Sequence, residues 1–560
     1  MYRAASPWRY AVVAIVATAI LAPIAIILWQ SLLDAPFFMP AATFGLDAYE
    51  FVLTDPEFWT AARNTVVIAA IMTAVAVVIG AAAAFLINRT DIPGRSVLEP
   101  LILAPIFISP LILSLGYIVT LGPVGIFSLS VKRILSLGET PWDIYTATGI
   151  AVIAGLSHAP HVYLYCAAAL RNLGSDVEDA ARSAGAGPWH VATKVSLPLI
   201  WPAIISSGVL VFFLGFEMFA LPLILGDPQG LQVLTTYLFK LSTRMGVPSF
   251  QLMAVVVVLL ALVTFPLVFA QRYFLRNSER YVLLRGKAAK QRPLPLGVWK
   301  WPALAGLVLW LVVAVVLPLL GVVIRSVVTS WGDGVDLLAV LTLDHYRAAF
   351  ANDSIRTGHV NTLIIATVGG AAAVGVYAVM SLATHRWNSP WSRFMDYLVL
   401  LPRAMPGLVA GLAFLWLFLF FKPITPLRNS LISIWLAYTV VWVAFGSRLI
   451  ASALGQISRE LEEAGAVSGA SAWRVNWDIK IPLIRHGLIA AWVLVFLSFV
   501  REYSTGIYLM SPGTEVIGAQ MVSLWATGAT DMVTAVSVLN ILFISVGLGL
   551  ALKFGVKIRD

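Results

Sequence analysis

Four ionisable side chains, Glu217, Arg403, Arg501 and Glu502, stand inside runs of apolar residues. A charge in hydrocarbon is costly, so such groups mark a path, a relay or an internal ion pair. Here they line or gate a polar path, or Glu217 pairs with Arg501 or Arg403 and fixes helix packing; both readings stay open. A second set recurs outside the apolar runs. Glu178-Asp179-Ala180-Ala181-Arg182-Ser183-Ala184-Gly185, closing at Leu197-Pro198, returns 284 residues later as Glu462-Glu463-Ala464-Gly465-Ala466-Val467-Ser468-Gly469, closing at Ile481-Pro482. Trp189 and Trp473 keep the same register. Other chemistries find little support. No H-E-x-x-H, G-x-S-x-G or paired-acid arrangement is present, and the phosphate-binding pattern G-x-x-x-x-G-K-[ST] is missing, since Gly286-Lys287 is followed by Ala288. Cys166 is the single cysteine, which excludes a disulfide or Cys-based metal cluster within one chain. His158 and His161 lack a nearby carboxylate, so packing or one hydrogen bond explains them more simply than metal ligation.

The elements that must hold these residues follow from composition. With 60% hydrophobic and 12% charged residues and a mean hydropathy of +0.89, the chain belongs in a lipid bilayer. Apolar runs near 8–32, 61–88, 98–122, 146–170, 199–226, 249–273, 301–326, 359–384, 394–421, 430–454, 486–510 and 536–557 predict an all-α membrane protein of about twelve transmembrane helices. The first run follows Arg3 and Arg9 and resembles a signal peptide, but it exceeds the usual core length and is read as an uncleaved span. Prolines 105, 110, 402 and 406 predict kinked or broken helices that expose carbonyls to a cavity.

Lys and Arg are retained on the cytoplasmic side during insertion. The loop after the first span carries Asp34, Asp47, Glu50, Asp55 and Glu57 without a base, whereas the next holds Arg89 and Arg95. The linker holds Arg272, Arg276, Arg280, Arg285, Lys287, Lys290, Arg292 and Lys300, and the tail ends in Lys553, Lys557 and Arg559. Both termini and the linker are therefore expected in the cytoplasm. The net charge of +9 reads as topology, and nucleic-acid binding gains no support from bases spread over short loops. A second repeat signal links Leu46-Asp47-Ala48-Tyr49 and Asn64-Thr65 with Leu343-Asp344-His345-Tyr346 and Asn361-Thr362, each 297 residues apart. The expected organisation is a first repeat over 1–275, a basic linker over 276–300 and a second repeat over 301–560. An even number of spans per half makes the repeats parallel, with a path expected at their interface.

Local signals shape the recurring segment into a short helix on the membrane surface. Ser175 with Glu178 forms a capping box, and Ser458 caps the second copy with Glu460 and Glu462 in its first turn. Gly185 and Gly469 suit a left-handed C-cap, and Pro188, Pro198 and Pro482 suit first turns. A well-capped loop would show the same signs once; two copies in register ask for more.

On these residues the chain resembles the EAA-loop inner-membrane permeases of binding-protein-dependent ABC importers, which have the MetI-like fold. The resemblance implies two parallel six-helix MetI-like repeats. It also implies two ABC ATPase subunits on the cytoplasmic side, a periplasmic substrate-binding protein, and residence in the bacterial inner membrane. ATP and Mg would be bound by the partner ATPase, with no cofactor on this chain and no catalytic residue. Glu178, Asp179, Ala180 and Gly185, with Glu462, Glu463, Ala464 and Gly469, would meet the ATPase as coupling helices; Gly465 departs from the motif but stays small. Segments 221–228 and 508–515 look most like the ferric-iron type, with thiamine, aminoethylphosphonate and polyamine importers as alternatives. An ion-coupled secondary transporter is the rival from another class, and would need carboxylates such as Glu217 and Glu502 deep in its spans.

Overall fold

The computed structural model describes residues 7–40, 42–172, 176–243, 249–281 and 293–553. Ser175, the linker bases Arg285, Lys287, Lys290 and Arg292, and the tail bases Lys557 and Arg559 lie outside them. Among the described residues the regular structure is helical, with only isolated β-bridges. Among the described residues nine helices are long and apolar enough to cross a membrane, or up to eleven if two bent pairs each count as one span. The pairs are Leu431–Val441 with Val443–Gly455, bent by 60°, and Ala472–Leu483 with Arg485–Arg501, bent by 70°. The expectation of about twelve differs at the run near 394–421. There Pro402 opens a single 3₁₀ turn and Pro406 precedes Gly407–Phe420, leaving 14 residues of helix, too few to span alone. Pro110 likewise opens Pro110–Leu121 after a break at 108–109, whereas Pro105 stays inside Arg95–Phe107.

Contacts divide the chain into two units, residues 1–48 with 344–560, and residues 49–343. This partition is not that of the sequence repeats. Helix Pro7–Ser31 packs on Gly370–Thr384, Pro390–Leu398 and Gly407–Phe420 of the first unit. In the second unit Pro56–Arg89 lies along Ala147–Asn172 and Leu197–Glu217, while Leu317–Ser326 packs on Pro110–Leu121. Small residues permit these approaches, because apolar burial alone does not favour one helix over lipid. A Cβ on Gly80 would stand 2.6 Å from Val162 Cβ, and one on Gly116 2.6 Å from Pro318 Cα. The Gly369-Gly370 pair admits Trp435, whose Nε1 donates to Gly369 O at 2.8 Å.

The duplicated Asn-Thr pair does the same work twice. Asn64 Nδ2 donates to Gln232 O at 3.0 Å and Asn361 Nδ2 to Glu515 O at 2.9 Å. Thr65 Oγ1 accepts Leu234 N–H, and Thr362 Oγ1 accepts Ile517 N–H, each at 2.9 Å. Leu234 and Ile517 are the first residues of helices Leu234–Thr243 and Ile517–Ala526, whose orphan N–H groups need such acceptors.

Candidate functional site

The recurring segments form two short helices, Asp176–Ser183 and Arg459–Val467. Each ends in the same closure. Gly185 (φ +89°) and Gly469 (φ +83°) are left-handed. Gly185 N–H donates to Arg182 O and Ala186 N–H to Ala181 O, while Gly469 N–H donates to Ala466 O and Ala470 N–H to Gly465 O. These two bonds per end make a Schellman cap. Ser458 stands at the second N-cap without a side-chain capping bond, so that expectation is corrected; the dipole is met by Glu460 and Glu462 in the first turn. After each cap comes a wide π-type turn, Ala192–Ser196 and Val475–Lys480. Pro198 then opens Leu197–Glu217, whereas Pro482 sits in the three-residue Ile481–Leu483 before the bent restart at Arg485.

The two glutamates turn inward. Glu178 is 1% exposed, accepts a 2.7 Å hydrogen bond from Ser196 Oγ, and lies 3.4 Å from Arg89 Nε. Glu462 is pinned by Arg386 Nη1 at 2.8 Å, His385 Nε2 at 3.0 Å and Lys480 Nζ at 3.0 Å. The partners correspond. Arg89 and Arg386 are 297 residues apart, the first ending a long helix and the second two residues past one, and Ser196 and Lys480 are 284 apart, each closing its π turn. Arg89, Ser196, His385, Arg386 and Lys480 escaped the sequence reading. The 297 register would have paired the arginines, but Ser196 and Lys480 differ in type.

Asp179 pairs with Arg182 and Glu463 with Arg459 at 2.8 Å along their own helices, exposed pairs that contribute little. Ala180, Ala464, Gly185 and Gly469 are exposed. So are Val177, Leu461, Val467, Trp189 and Trp473. Each helix thus keeps one acid inside and shows small, apolar and charged side chains outside. Gly465 fits its place because a Cβ there would stand 2.8 Å from Ile479 Cδ1.

Burial works against the charge of Glu462, but hydrogen bonds from His385 and Lys480 and their charges hold its carboxyl below the ordinary value. Burial also lowers His385, more than Glu462 raises it. Both groups have folded values below their free ones, so their stabilisation is present above the free values and lost as pH falls through the folded ones. Amide protection across 459–467, taken relative to the intrinsic exchange rate at each pH, is expected to be high at neutral pH, to fall slightly on the acid side of the free histidine value as His385 protonates, and to fall further as Glu462 protonates on the acid side of the free glutamate value. Protection that is unchanged down to pH 3 would contradict this anchoring.

The intramembrane charges sit at helix breaks. Glu217 and Arg501 are the last residues of Leu197–Glu217 and Arg485–Arg501, 284 residues apart. They fall in different contact units. Arg403 lies in the Pro402–Ala404 turn, and the Arg501 guanidinium stands 5.6 Å from the Trp442 ring centroid, at the bend of the 431–455 pair. Glu502 folds back on its own chain: Oε1 accepts from Ser504 N, Ser504 Oγ, Thr505 N and Thr505 Oγ1 at 2.9–3.2 Å. A Cβ on Gly407 would stand 3.3 Å from that oxygen, which brings the Arg403 break beside the Glu502 bend. His158 and His161 stack at 5.4 Å, and His158 Nδ1 meets Ala154 O at 2.8 Å. No group of three His, Cys, Asp or Glu able to hold a metal occurs among the described residues.

The family described as "Binding-protein-dependent transport system inner membrane component" matches residues 76–280 and 371–558. A ferric transport system permease protein of Actinobacillus pleuropneumoniae is 24% identical over 426 residues, covering 75% of this chain and 60% of that protein. The chain therefore spans less than two thirds of that relative's length. An Fe(3+)-transport system permease protein of Haemophilus influenzae is 22% identical over 522 residues, covering 92% of this chain and 94% of its own. A putrescine transport system permease protein of Escherichia coli is 24% identical over 197 residues, covering 35% of this chain and 70% of its own.

Proposed function

Because the chain belongs to the family of binding-protein-dependent transport system inner membrane components, we propose that it is the permease subunit of an ATP-driven importer that receives solute from a periplasmic binding protein. It is not itself the enzyme; two ABC ATPase subunits hydrolyse ATP on the cytoplasmic side. The observation that carries this reading is the pair of surface helices, each closed by a left-handed glycine and anchored through one inward-turned acid, Glu178 buried and Glu462 partly exposed, to an arginine at or just past the end of a long helix. An outside protein that grips the exposed face of such a helix pulls on Arg89 or Arg386, and so on a rigid rod of the membrane domain. In this reading Asp179, Ala180, Gly185, Glu463, Ala464 and Gly469 make the contact. Glu178 and Glu462 hold the lever from within.

The organisation we propose is a repeat over 1–275, a basic linker over 276–300 and a repeat over 301–560, about twelve spans with the broken run near 394–421 crossing as one, and both termini cytoplasmic. Glu217, Arg403, Arg501 and Glu502 mark the path at its helix breaks, Glu502 by shaping the bend at 502–505. The proposed cargo is ferric iron or a small ferric complex, supported by the names of two relatives that cover most of this chain. A relative named for putrescine keeps a polyamine as the alternative.

Vesicles holding this chain with its ATPase, and binding protein on the outer side, are expected to take up labelled ferric ion only with ATP inside. Uptake by the chain alone, driven by a proton or sodium gradient, would overturn the importer reading; ATP-driven uptake of putrescine but not iron would overturn only the cargo.

A further inference from the structure

An apolar groove of about 970 Å3 opens between the helix Pro56–Arg89, the turn after the first surface helix, and the start of the helix that follows the linker. Its walls include Val78, Ala82 and Phe85, and its rim includes Trp189, Trp201 and Trp299. We propose that this groove binds an anionic phospholipid, taking its acyl chains from the leaflet on the side of the surface helices. Three observations choose this occupant.

The first is depth. The wall residues 77–86 precede Arg89, the end of their helix, which puts them roughly 5–18 Å below that end at 1.5 Å per residue. That range matches the acyl layer of one leaflet, about half of a 30 Å hydrocarbon core. The second is the rim: Trp189, Trp201 and Trp299 are 81%, 55% and 74% exposed, as indoles are where headgroups begin. The third is charge. No lining residue is acidic, Lys194 is exposed on the π turn that supplies Ala192 and Thr193 to the wall, and Lys300, beside Trp299, stands 5.5 Å from the Trp301 ring centroid. The volume lies at the upper end of small-ligand sites, about 300–1,000 Å3. The slot itself is uncharged and is flanked by these two lysines, while Asp91 is occupied in accepting the Leu296 N–H at 2.9 Å; such a slot suits an amphiphile with a negative head.

The full chain in nanodiscs, carrying phosphatidylglycerol or phosphatidylcholine with a diazirine in the acyl chain, tests this by mapping photolabelled peptides. Label is expected to concentrate in 77–86, 189–204 and 294–303, with phosphatidylglycerol preferred. Lys194→Gln with Lys300→Gln should cut the preference by about fivefold per lysine and leave phosphatidylcholine labelling alone. Ala82→Trp fills the groove from an exposed position, so the core is undisturbed, and should abolish labelling there with either lipid. Labelling spread evenly over the spans, or unchanged in Ala82→Trp, would overturn the proposal and leave the groove to another part of the chain or to a protein partner. Because the assay needs neither ATP nor solute, its failure is separable from that of the importer reading.

Discussion

Arg89→Ala is expected to cut ATP-driven uptake by tenfold or more, on the importer reading, while the chain still inserts in the membrane. Glu178 is almost wholly buried, with Arg89 at 3.4 Å and the Ser196 hydroxyl as its partners. Removing one member of a buried pair leaves a charge without compensation, at a cost of about 3–5 kcal/mol. The helix Asp176–Ser183 can avoid that cost by protonating Glu178 or by swinging it out to water, and either change breaks the ionic hold on the long helix. Arg386→Ala should do less, because Glu462 is partly exposed and keeps His385 and Lys480. Hydrogen exchange separates the cases: residues 176–183 should lose protection in Arg89→Ala, and 459–467 should lose less in Arg386→Ala. Adding Glu178→Gln to Arg89→Ala should restore part of the protection, since no charge is then stranded. Equal losses in both copies would show that the anchors do not act as the geometry says.

Gly411→Val should lower the thermal midpoint of the purified chain and abolish uptake even where some protein folds. A Cβ at Gly411 would land on the carbonyl oxygen of Thr505, well inside contact distance, and one at Gly407 would stand 2.9 Å from Thr505 Oγ1. Gly518 presses on the Glu502 carbonyl in the same way. Backbone faces backbone here, so no rotamer change relieves the clash, and the cost reaches at least the ~1–3 kcal/mol of ordinary overpacking. The strain falls on the bend that Glu502 builds with Ser504 and Thr505. Gly375→Val is the control, since Gly375 is exposed and a Cβ there meets nothing within 4 Å. Its effect should stay within about 0.5 kcal/mol. A Gly411→Val protein as stable and active as Gly375→Val would remove the bend from any role in the path.

Much of this architecture was legible because it repeats. The apolar runs fixed where helices lie, and Gly185 and Gly469 announced their caps, since few residues but glycine accept a left-handed closure. The count of spans was harder. Hydropathy sees the 394–421 run as continuous, whereas the Pro402 and Pro406 rings cut its backbone and leave 14 residues of helix. The inward turn of Glu178 and Glu462 was hidden because their partners come from two registers, the arginines at 297 and the π-turn residues at 284. Reading either alone leaves an acid on a small-residue helix, which looks like an outward face. The local bonds of Glu502 were hidden in another way: an acid in a span draws attention as a path group, and nothing in its spacing says that it accepts hydrogen bonds from the next residues of its own chain.

The grouping of Pro7–Ser31 with residues 344–560 has a consequence for how the protein is made. Domains generally complete themselves in the order the ribosome delivers them. This helix leaves the ribosome well before its partners, since Gly370–Thr384 and Gly407–Phe420, on which it packs, are synthesised more than 300 residues later. It must therefore wait in the bilayer, held by lipid or by the insertion machinery, while the intervening unit is built. A pause or premature stop during translation would strand it, so the nascent chain is most exposed to quality-control proteases before its second half arrives.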